Sequence, residues 1–429
     1  FLSQPDYFHM EWMLSMLNWQ WQVFALILVS AAFLSLPSIP RYLLLRFRRP
    51  AEARETPRDD LTPERGCWNK TGPLIIAAFR ELQLRVISPG PVPPWMSESG
   101  IHSRRVPQFD VSSVEDGVVD RGMVYTVKGA YVLGKHSVVF NCFSAVVFGR
   151  CRAHEAANGL THDTLKSLVN GPVDQLSGSV VLLVAMWGDN YFHFLIENFM
   201  RLALVYDLLR EDTSSRVLSH TNLKWSWRFF ELLGIDSSRV IPYDKPCFFV
   251  ERLIVPSATK CGHSRAPAVR LIRNLLIANI EKTLKLPMKT KPHILIQVRR
   301  KSRALSNLRA LSARLRRSFP HVKVEYFRPK DSFEQAMRKH MQADVVIAPH
   351  GAGLSNMVFC AKGAEIIEIH AAIGNRGKGD MNHCYSDLAG VIGLRKWNLT
   401  SETIGNRRDG LTAPIEDVLR LVSARLYGS

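Results

Sequence analysis

A glycine-containing loop after an apolar run is the first stretch of this sequence whose residue types could do chemistry. Residues 345–347 predict a buried strand, residues 350–353 are His-Gly-Ala-Gly, and residues 354–359 predict the start of a helix. In a parallel α/β sheet such a loop lies at the carboxyl edge, where unpaired amides at a helix N-terminus attract phosphate. Ser355 and Asn356 can add side-chain hydrogen bonds. On glycine spacing alone, a tight βα turn that binds nothing is an equally good explanation.

Charged residues before and after this loop are predicted to lie at the same edge of the sheet. Residues 293–298 predict a strand, and Arg299, Arg300, Lys301 and Arg303 follow it. Guanidinium groups next to a helix N-terminus can neutralise a diphosphate through charge-assisted hydrogen bonds. Glu368, at the end of the following strand, is placed to accept hydrogen bonds from ribose hydroxyls. A solvated basic rim and a strand-end carboxylate paired with a neighbouring cation are the alternatives.

Nucleic acid is another partner that a basic cluster can indicate. This cluster is not interleaved with aromatic residues, and the sequence has no helix-turn-helix, RNA-recognition or zinc signature. We therefore expect no nucleic-acid partner.

A third group of polar residues lies on one predicted helix. Residues 179–186 predict a buried parallel strand, which leads through Asp189 into a helix that continues to about residue 210. His193, Glu197 and Arg201 are spaced i, i+4, i+8, so their side chains are expected to share one polar stripe. A histidine and a carboxylate near a strand end are a plausible pair for proton transfer. A surface stripe with a satisfied core histidine is the alternative.

Alternating strand and helix patterns would position these groups on an α/β framework. A hairpin is predicted around residues 134–136. Further strands are predicted at 217–220, 248–257, 293–298, 323–327, 345–347 and 366–369, and helices at 225–233, 266–286, 307–318, 332–342 and 414–426. Within the helix at 266–286, Leu271, Leu275, Ile280 and Leu284 are expected on the apolar side.

These patterns divide the 429 residues into four segments. Residues 1–50 contain a predicted membrane anchor with a basic flank, and residues 51–115 are a Pro- and Arg-rich stem. Residues 116–286 and 287–429 are two α/β domains, the second ending in a helix. The boundary between them falls in a basic, proline-containing stretch.

The anchor prediction rests on residues 12–36, which are mostly apolar and approach the roughly 20 residues that a spanning helix needs. A secretory signal peptide is the alternative, but no clear cleavage site follows. Basic residues between 41 and 49 would place the bulk of the chain in the cytosol by the positive-inside rule. The sequons at Asn69 and Asn398 would be used only in the secretory lumen.

Composition narrows the partners without choosing one. Lys and Arg number 56 against 38 Asp and Glu, and the net charge of +18 favours anionic partners such as nucleotides, acidic glycans or membrane surfaces. The seven cysteines are scattered, with no zinc-type CxxC, and fit one to three disulfides plus a free thiol as well as they fit buried thiols.

Five motifs, taken in order, resemble glycosyltransferase family 61. This family includes plant xylan arabinosyl- and xylosyltransferases, the β-1,2-xylosyltransferase of N-glycans and animal O-linked N-acetylglucosaminyltransferases. The motifs are GDNYFHFLIENFMRL (188–202), VRRKSRALSN (298–307), DSFEQ (331–335), ADVVIAPHGAGLSNMVFCAKGAEIIEI (343–369) and HCYSDLAGVIGLRKW (383–397). In the last of them, Cys384 stands where the family usually has an aromatic residue.

The resemblance implies a GT-B fold, in which two Rossmann-like domains face a cleft and the carboxyl-terminal one holds the sugar nucleotide. The final helix of such folds often crosses back to the first domain. The resemblance also implies a single-pass type II protein of the Golgi or endoplasmic reticulum membrane with a lumenal catalytic domain, which we prefer to the positive-inside prediction. The implied reaction is inverting transfer of xylose, arabinose or N-acetylglucosamine from a UDP-sugar to a glycan or glycoprotein, without metal or cofactor.

Under this resemblance, individual residues receive roles. Asp189, His193 and Glu197 are the expected catalytic residues, with His193 or Glu197 serving as the base or supporting it. The expected donor-binding residues are Arg299, Arg303, His350, Gly351, Ala352, Gly353, Leu354, Ser355, Asn356 and Glu368.

Two other classes of function remain as alternatives. A catalytically inactive lectin-like or scaffold protein could share the fold. A cytosolic dinucleotide-dependent enzyme would need a GxGxxG after the first strand, and residues 179–192 lack it.

Overall fold

A computed structural model describes residues 84–86, 101–112, 119–134, 137–140, 145–148, 173–221, 225–259, 261–285, 288–372, 383–404 and 410–428. All of them belong to one compact unit. In these ranges no helix has both the length and the apolar character to cross a membrane. The predicted anchor at 12–36 and the sequon at Asn69 lie outside the described residues.

The described part of the first half contains eleven strands. They are β1 (Leu84–Val86), β2 (Ile101–Arg105), β3 (Val111–Ser112), β4 (Val119–Asp120), β5 (Met123–Leu133), β6 (Val138–Phe140), β7 (Ala145–Val147), β8 (Asp174–Leu182), β9 (Arg216–Ser219), β10 (Val240–Pro242) and β11 (Cys247–Pro256). Nine of them form a mixed sheet in the order β1-β7-β6-β5-β11-β8-β9-β10, with β2 beside β5, while β3 and β4 pair with each other. Strands β11, β8, β9 and β10 are parallel neighbours.

The strands predicted at 217–220 and 248–257 are confirmed as β9 and β11, and two other predictions differ. Strands β5 and β6, on either side of the predicted hairpin, are antiparallel. However, β1 and β2 fall in the segment predicted as stem, so the first sheet begins upstream of residue 116. The strand predicted at 179–186 is Asp174–Leu182. Leu183 and Val184 remain buried beyond its end, because an apolar run indicates burial rather than pairing.

The helical segment after β8 changes its winding twice. A π-helical turn (His193–Asn198) is followed by a 3₁₀ segment (Phe199–Val205) and then by α1 (Tyr206–Glu211). Each change rotates the following side chains away from their places in a regular 3.6-residue helix. Arg201 is therefore buried, and its Nε donates to the Pro256 carbonyl at 2.9 Å. The stripe predicted through His193, Glu197 and Arg201 is wrong at Arg201.

The remaining helices of this half are α2 (Ser226–Leu232), α3 (Ala266–Leu284) and the 3₁₀ turns Pro107–Phe109 and Ser237–Arg239. The apolar face of α3 differs from the prediction. Leu271 is 37% exposed. The buried residues of this helix are Ala268, Val269, Ile272, Leu276 and Ile280. Ile280 belongs to both the predicted and the buried set, Leu275 and Leu284 are half-buried, and only Leu271 lies on the exposed side.

The second half holds a parallel doubly wound sheet. Its strands are β12 (His293–Gln297), β13 (Lys323–Phe327), β14 (Val345–Pro349), β15 (Glu365–Ala372) and β16 (Arg395–Ile404). Its helices are α4 (Leu308–Ser318), α5 (Phe333–Gln342), a 3₁₀ helix (Ala352–Phe359), α6 (Cys384–Ile392) and α7 (Ile415–Tyr427). The order β13-β12-β14-β15-β16 reverses direction between β12 and β14. In such sheets the crevice at the carboxyl ends of these two strands is where ligands bind. The predicted α/β fold class is confirmed.

Packing connects the helices of the two sheets. Phe229 of α2 lies 4.9 Å from Phe333 of α5 and 6.3 Å from Phe359 of the 3₁₀ helix, measured between ring centroids. These rings belong to a cluster of buried side chains drawn from both halves. The final helix does not follow the expected crossing. Val418 and Val422 of α7 pack with Leu311 and other residues of the second sheet's own core.

Candidate functional site

The loops after β12 and β14 meet at the point where the strand order reverses. Arg299 follows β12, and its Nη1 lies 3.4 Å from the His350 carbonyl, while Nε donates to the Ser302 carbonyl at 3.0 Å. A Cβ atom at Gly351 would lie 1.7 Å from Nη1, so only glycine leaves room for this guanidinium. Burial lowers the pKa of Arg299, and interaction with Tyr385 opposes that shift. The sequence prediction that Arg299 and this loop share one edge of the sheet is confirmed.

A second close approach involves Gln297, which was not among the residues predicted from the sequence. A Cβ at Gly353 would lie 2.1 Å from its Nε2. The Gln297 side chain is almost fully buried, and its Oε1 has no hydrogen-bond partner in the described ranges. A polar residue ending an otherwise apolar strand was the signal that could have identified it, because a buried amide needs a partner.

The 3₁₀ helix begins at Ala352, so the amides of Ala352 and Gly353 are at its start, next to Gln297 and Arg299. These amides are the groups that an anion would bind at a helix N-terminus. The Leu354 amide instead donates to the Gly351 carbonyl at 2.9 Å, and the Leu354 side chain is buried in the core. Within the predicted loop, only the backbone amides of Ala352 and Gly353 are therefore placed to bind an anion.

Asn356 and Ser355 support the loop from inside. Asn356 Oδ1 accepts from the Tyr191 hydroxyl at 2.5 Å, and its Nδ2 donates to the Gly353 carbonyl at 3.0 Å. Ser355 has no exposed surface and lies against the Tyr385 hydroxyl. Tyr191 precedes His193, so Asn356 also ties the loop to the helical segment that follows β8.

A buried ion network holds His350. Its Nδ1 lies 2.5 Å from Glu368 Oε1, while Lys396 Nζ and His370 Nε2 lie 2.6 and 3.3 Å from Oε2. Burial raises the pKa of Glu368, but hydrogen bonds from the two histidines and the charge of Lys396 outweigh it, so the net shift is downward. Glu368 has no exposed surface and pairs with a neighbouring lysine, which was the alternative to the expected contact with ribose. The ionised Glu368 carboxylate can only accept hydrogen bonds, so the proton of its bond to His350 is on Nδ1. This bond does not involve His350 Nε2.

The same network includes a set of residues that could ligate a metal ion. One ligand atom each from His350, Glu368 and His370 lie within 4.8 Å of one another. The Lys396 ammonium at 2.6 Å already compensates the Glu368 carboxylate. A second cation at this carboxylate would repel that ammonium, so the donor set does not fit a resident metal well.

His193 and Glu197 form a hydrogen-bonded pair at the end of β8, as predicted. His193 Nδ1 lies 2.6 Å from Glu197 Oε2, and Glu197 Oε1 accepts from the Gly262 amide at 2.7 Å. The π-helical turn keeps both residues on one side. Asp189 is exposed on the preceding turn.

A row of rings joins this pair to the His350 loop. Successive centroid distances are 5.1 Å from Trp187 to His193, 5.3 Å from His193 to Phe192, 5.3 Å from Phe192 to Tyr385 and 5.4 Å from Tyr385 to His350. Tyr385 is therefore the link between the predicted catalytic and donor-binding groups. Burial raises its pKa well above the usual value, so the phenol stays protonated. Neither residue was assigned a role from the sequence, although Tyr385 lies within the motif at 383–397 and Trp187 directly precedes the motif at 188–202.

Arg303 completes the cationic side of the site. It adopts a left-handed backbone conformation, with φ of +60°. It lies close enough to Tyr385 for its charge to oppose the rise in the phenol's pKa. Tyr385 thus interacts with both Arg299 and Arg303.

The cysteines that the structure describes are one disulfide-bonded residue and three buried thiols. Cys261 is disulfide-bonded. Cys247, Cys360 and Cys384 are buried thiols, and burial raises the pKa of each to about 12. A thiol with such a pKa is a poor nucleophile at neutral pH.

One comparison with known protein families covers this site. Residues 191–367 match the family model described as Glycosyltransferase 61. The matched segment contains the His193–Glu197 pair, Arg299 and the His350 loop. No curated protein is similar enough to count as a relative. This match supports membership of glycosyltransferase family 61 through residues 191–367, the family that the motifs resemble.

Proposed function

We propose that this protein is an inverting glycosyltransferase that moves xylose, arabinose or N-acetylglucosamine from a UDP-sugar to a glycan or glycoprotein. The observation that carries the proposal is that one row of rings connects two groups of polar residues. Arg299 and the helix start lie at the switch point of the parallel sheet. The His193–Glu197 pair lies next to Trp187 in the row, with Phe192 and Tyr385 between His193 and His350.

On the donor side, the leaving nucleoside diphosphate gains negative charge as the sugar departs. Arg299, Arg303 and the amides of Ala352 and Gly353 are fixed donors for its oxygens. His350 adds a further contact through Nε2, because Glu368 fixes its Nδ1–H. These groups take the role that a divalent metal plays in other sugar-nucleotide sites, which supports a metal-independent reaction.

On the acceptor side, His193 is the base. Glu197 accepts from Nδ1–H of His193 and leaves Nε2 to take the proton. As the acceptor oxygen forms its bond to the anomeric carbon, its proton passes to Nε2. The bond from that carbon to the phosphate oxygen breaks, and its electron pair leaves with UDP. A single displacement of this kind inverts the anomeric configuration.

The two sheets support a GT-B arrangement. In this arrangement, residues 116–286, extended upstream to the first described strands, bind the acceptor, and residues 287–429 bind the donor. The disulfide at Cys261 supports an oxidising compartment, in line with a type II protein of the Golgi or endoplasmic reticulum. Residues 12–36 would provide the anchor.

A donor screen tests this function. The full chain in detergent micelles is incubated with UDP-xylose, UDP-arabinose and UDP-N-acetylglucosamine, with and without xylo-oligosaccharides or a free N-glycan, and UDP release is measured. We expect acceptor-stimulated release with one donor, insensitivity to EDTA, and a product of opposite anomeric configuration by proton NMR. No turnover with any donor, together with saturable glycan binding, would instead indicate a lectin-like or scaffold protein.

A further inference from the structure

Trp187 has an unusual backbone conformation for a large residue. Its φ is +59°, in the left-handed region that bulky side chains rarely adopt. Such strain persists only where the surrounding structure enforces it, and it concentrates at functional sites. The conformation of Trp187 therefore needs an explanation in terms of what its ring does.

The turn around Trp187 is enforced from both sides. The Asn190 amide donates to the Trp187 carbonyl at 2.8 Å, and the Gly188 amide donates to the Ala185 carbonyl at 3.0 Å. A Cβ at Gly188 would lie 2.2 Å from His220 Cδ2, so the next residue can only be glycine. The backbone is thus fixed in the position that carries the indole next to His193.

The indole packs against His193 in the row of rings. Its centroid is 5.1 Å from the His193 ring, with an angle of 47° between the planes, and the residue is only half-buried. The two residues that follow Gly188, Asp189 and Asn190, are exposed. An aromatic face next to a carboxylate and an amide matches the chemistry of a sugar ring, whose C–H face is apolar and whose rim carries hydroxyls.

We propose that Trp187 is the stacking platform of an acceptor-sugar subsite, with Asp189 and Asn190 binding the hydroxyls of the stacked sugar. The platform sets an acceptor hydroxyl next to His193, opposite the donor side of the row. This assignment rests on the proposed glycosyltransferase function and deepens it, since it gives the acceptor site a neutral pyranose as its ligand. Asp189 then binds the acceptor and does not transfer the proton.

The test uses ligand-observed saturation-transfer NMR with methyl β-xyloside, methyl β-mannoside and methyl β-N-acetylglucosaminide as probes. We expect wild-type protein to saturate at least one glycoside, most strongly at its C–H protons. Trp187→Ala should weaken that binding at least about tenfold, whereas Trp187→Phe keeps most of it. Trp397→Ala is the matched control, because Trp397 is 44% exposed on β16 and is absent from the row of rings.

Two further measurements distinguish a loss of glycoside binding from a loss of stability and from a loss of UDP binding. Trp187→Gly relieves the backbone strain, so it should unfold at no lower temperature than Trp187→Ala while still failing to bind the glycoside. UDP binding, measured by calorimetry, should be unchanged in all Trp187 variants. If UDP binds but no glycoside is saturated by the wild type, or if Trp187→Ala retains saturation, the platform is overturned. If UDP itself does not bind, the proposed function fails.

Discussion

Arg299 fills the space that a side chain at position 351 would need, with its Nη1 1.7 Å from the position of a Cβ on Gly351. We therefore expect Gly351→Ala to displace the guanidinium from the loop. The KM for the UDP-sugar should rise at least about tenfold, because a displaced guanidinium no longer forms its charge-assisted hydrogen bonds to the diphosphate. The fold should persist, since the end of a long side chain can move. Steady-state kinetics with the best donor will measure the change.

Gly390→Ala is the control for this substitution. A Cβ at Gly390 of α6 would meet no atom within 4 Å. Donor kinetics should stay at the wild-type level in this variant. An unchanged KM in Gly351→Ala would show that the position of Arg299 does not matter for the donor.

Arg299→Ala and His193→Ala should each reduce transfer at least about tenfold while leaving the thermal midpoint near that of the wild type. They should differ in nucleotide binding. Arg299→Ala should weaken UDP binding by calorimetry, whereas His193→Ala should leave it intact, because Phe192 and Tyr385 separate the His193 ring from His350. Wild-type turnover in either variant would remove that residue from the site.

The sequence predicted the local path around His350 because the hydrophobic pattern and the small loop residues indicate the same structure there. An apolar strand, small loop residues and a second apolar strand appear as β14, the 3₁₀ helix and β15. Arg299 could be placed because the carboxyl ends of parallel strands share one edge. The local sequence pattern and the rules of parallel sheets are sufficient to predict both features.

Other features depend on contacts between residues far apart in sequence. Glu368 was expected to accept from ribose hydroxyls or to pair with a neighbouring cation. It pairs with Lys396, and only the pairing of β15 with β16 brings the two residues together. Arg201 left its predicted stripe because the helix around it is not a regular α-helix. Tyr385 links the two halves of the site only through the packing of α6. No periodicity in the sequence contains that information.

Removal of only one partner of the buried Glu368–Lys396 pair should destabilise the fold, because the other partner keeps its charge. Lys396→Met would leave a fully buried carboxylate without its nearest cation, and we expect the free energy of unfolding to fall by about 3–5 kcal/mol. The double variant Glu368→Gln, Lys396→Met should recover part of this loss, since no unpaired charge remains. Urea unfolding at pH 7 will compare the three proteins. Equal losses in the single and double variants would argue against the ion pair as the cause.

Two buried histidines of the second sheet should make stability depend on pH. Burial is the main cause that lowers the pKa of His293 and His340 to about 4, from 6.5. Between these values the unfolded chain binds protons that the folded chain excludes, so the free energy of unfolding should fall as pH drops from 6.5 to 4. The loss should be at most about 3 kcal/mol per histidine and should be absent above pH 6.5. His340→Met should therefore flatten the urea-measured stability profile between pH 6.5 and 4. A stability difference from wild type that is constant across this pH range would mean that His340 contributes only packing.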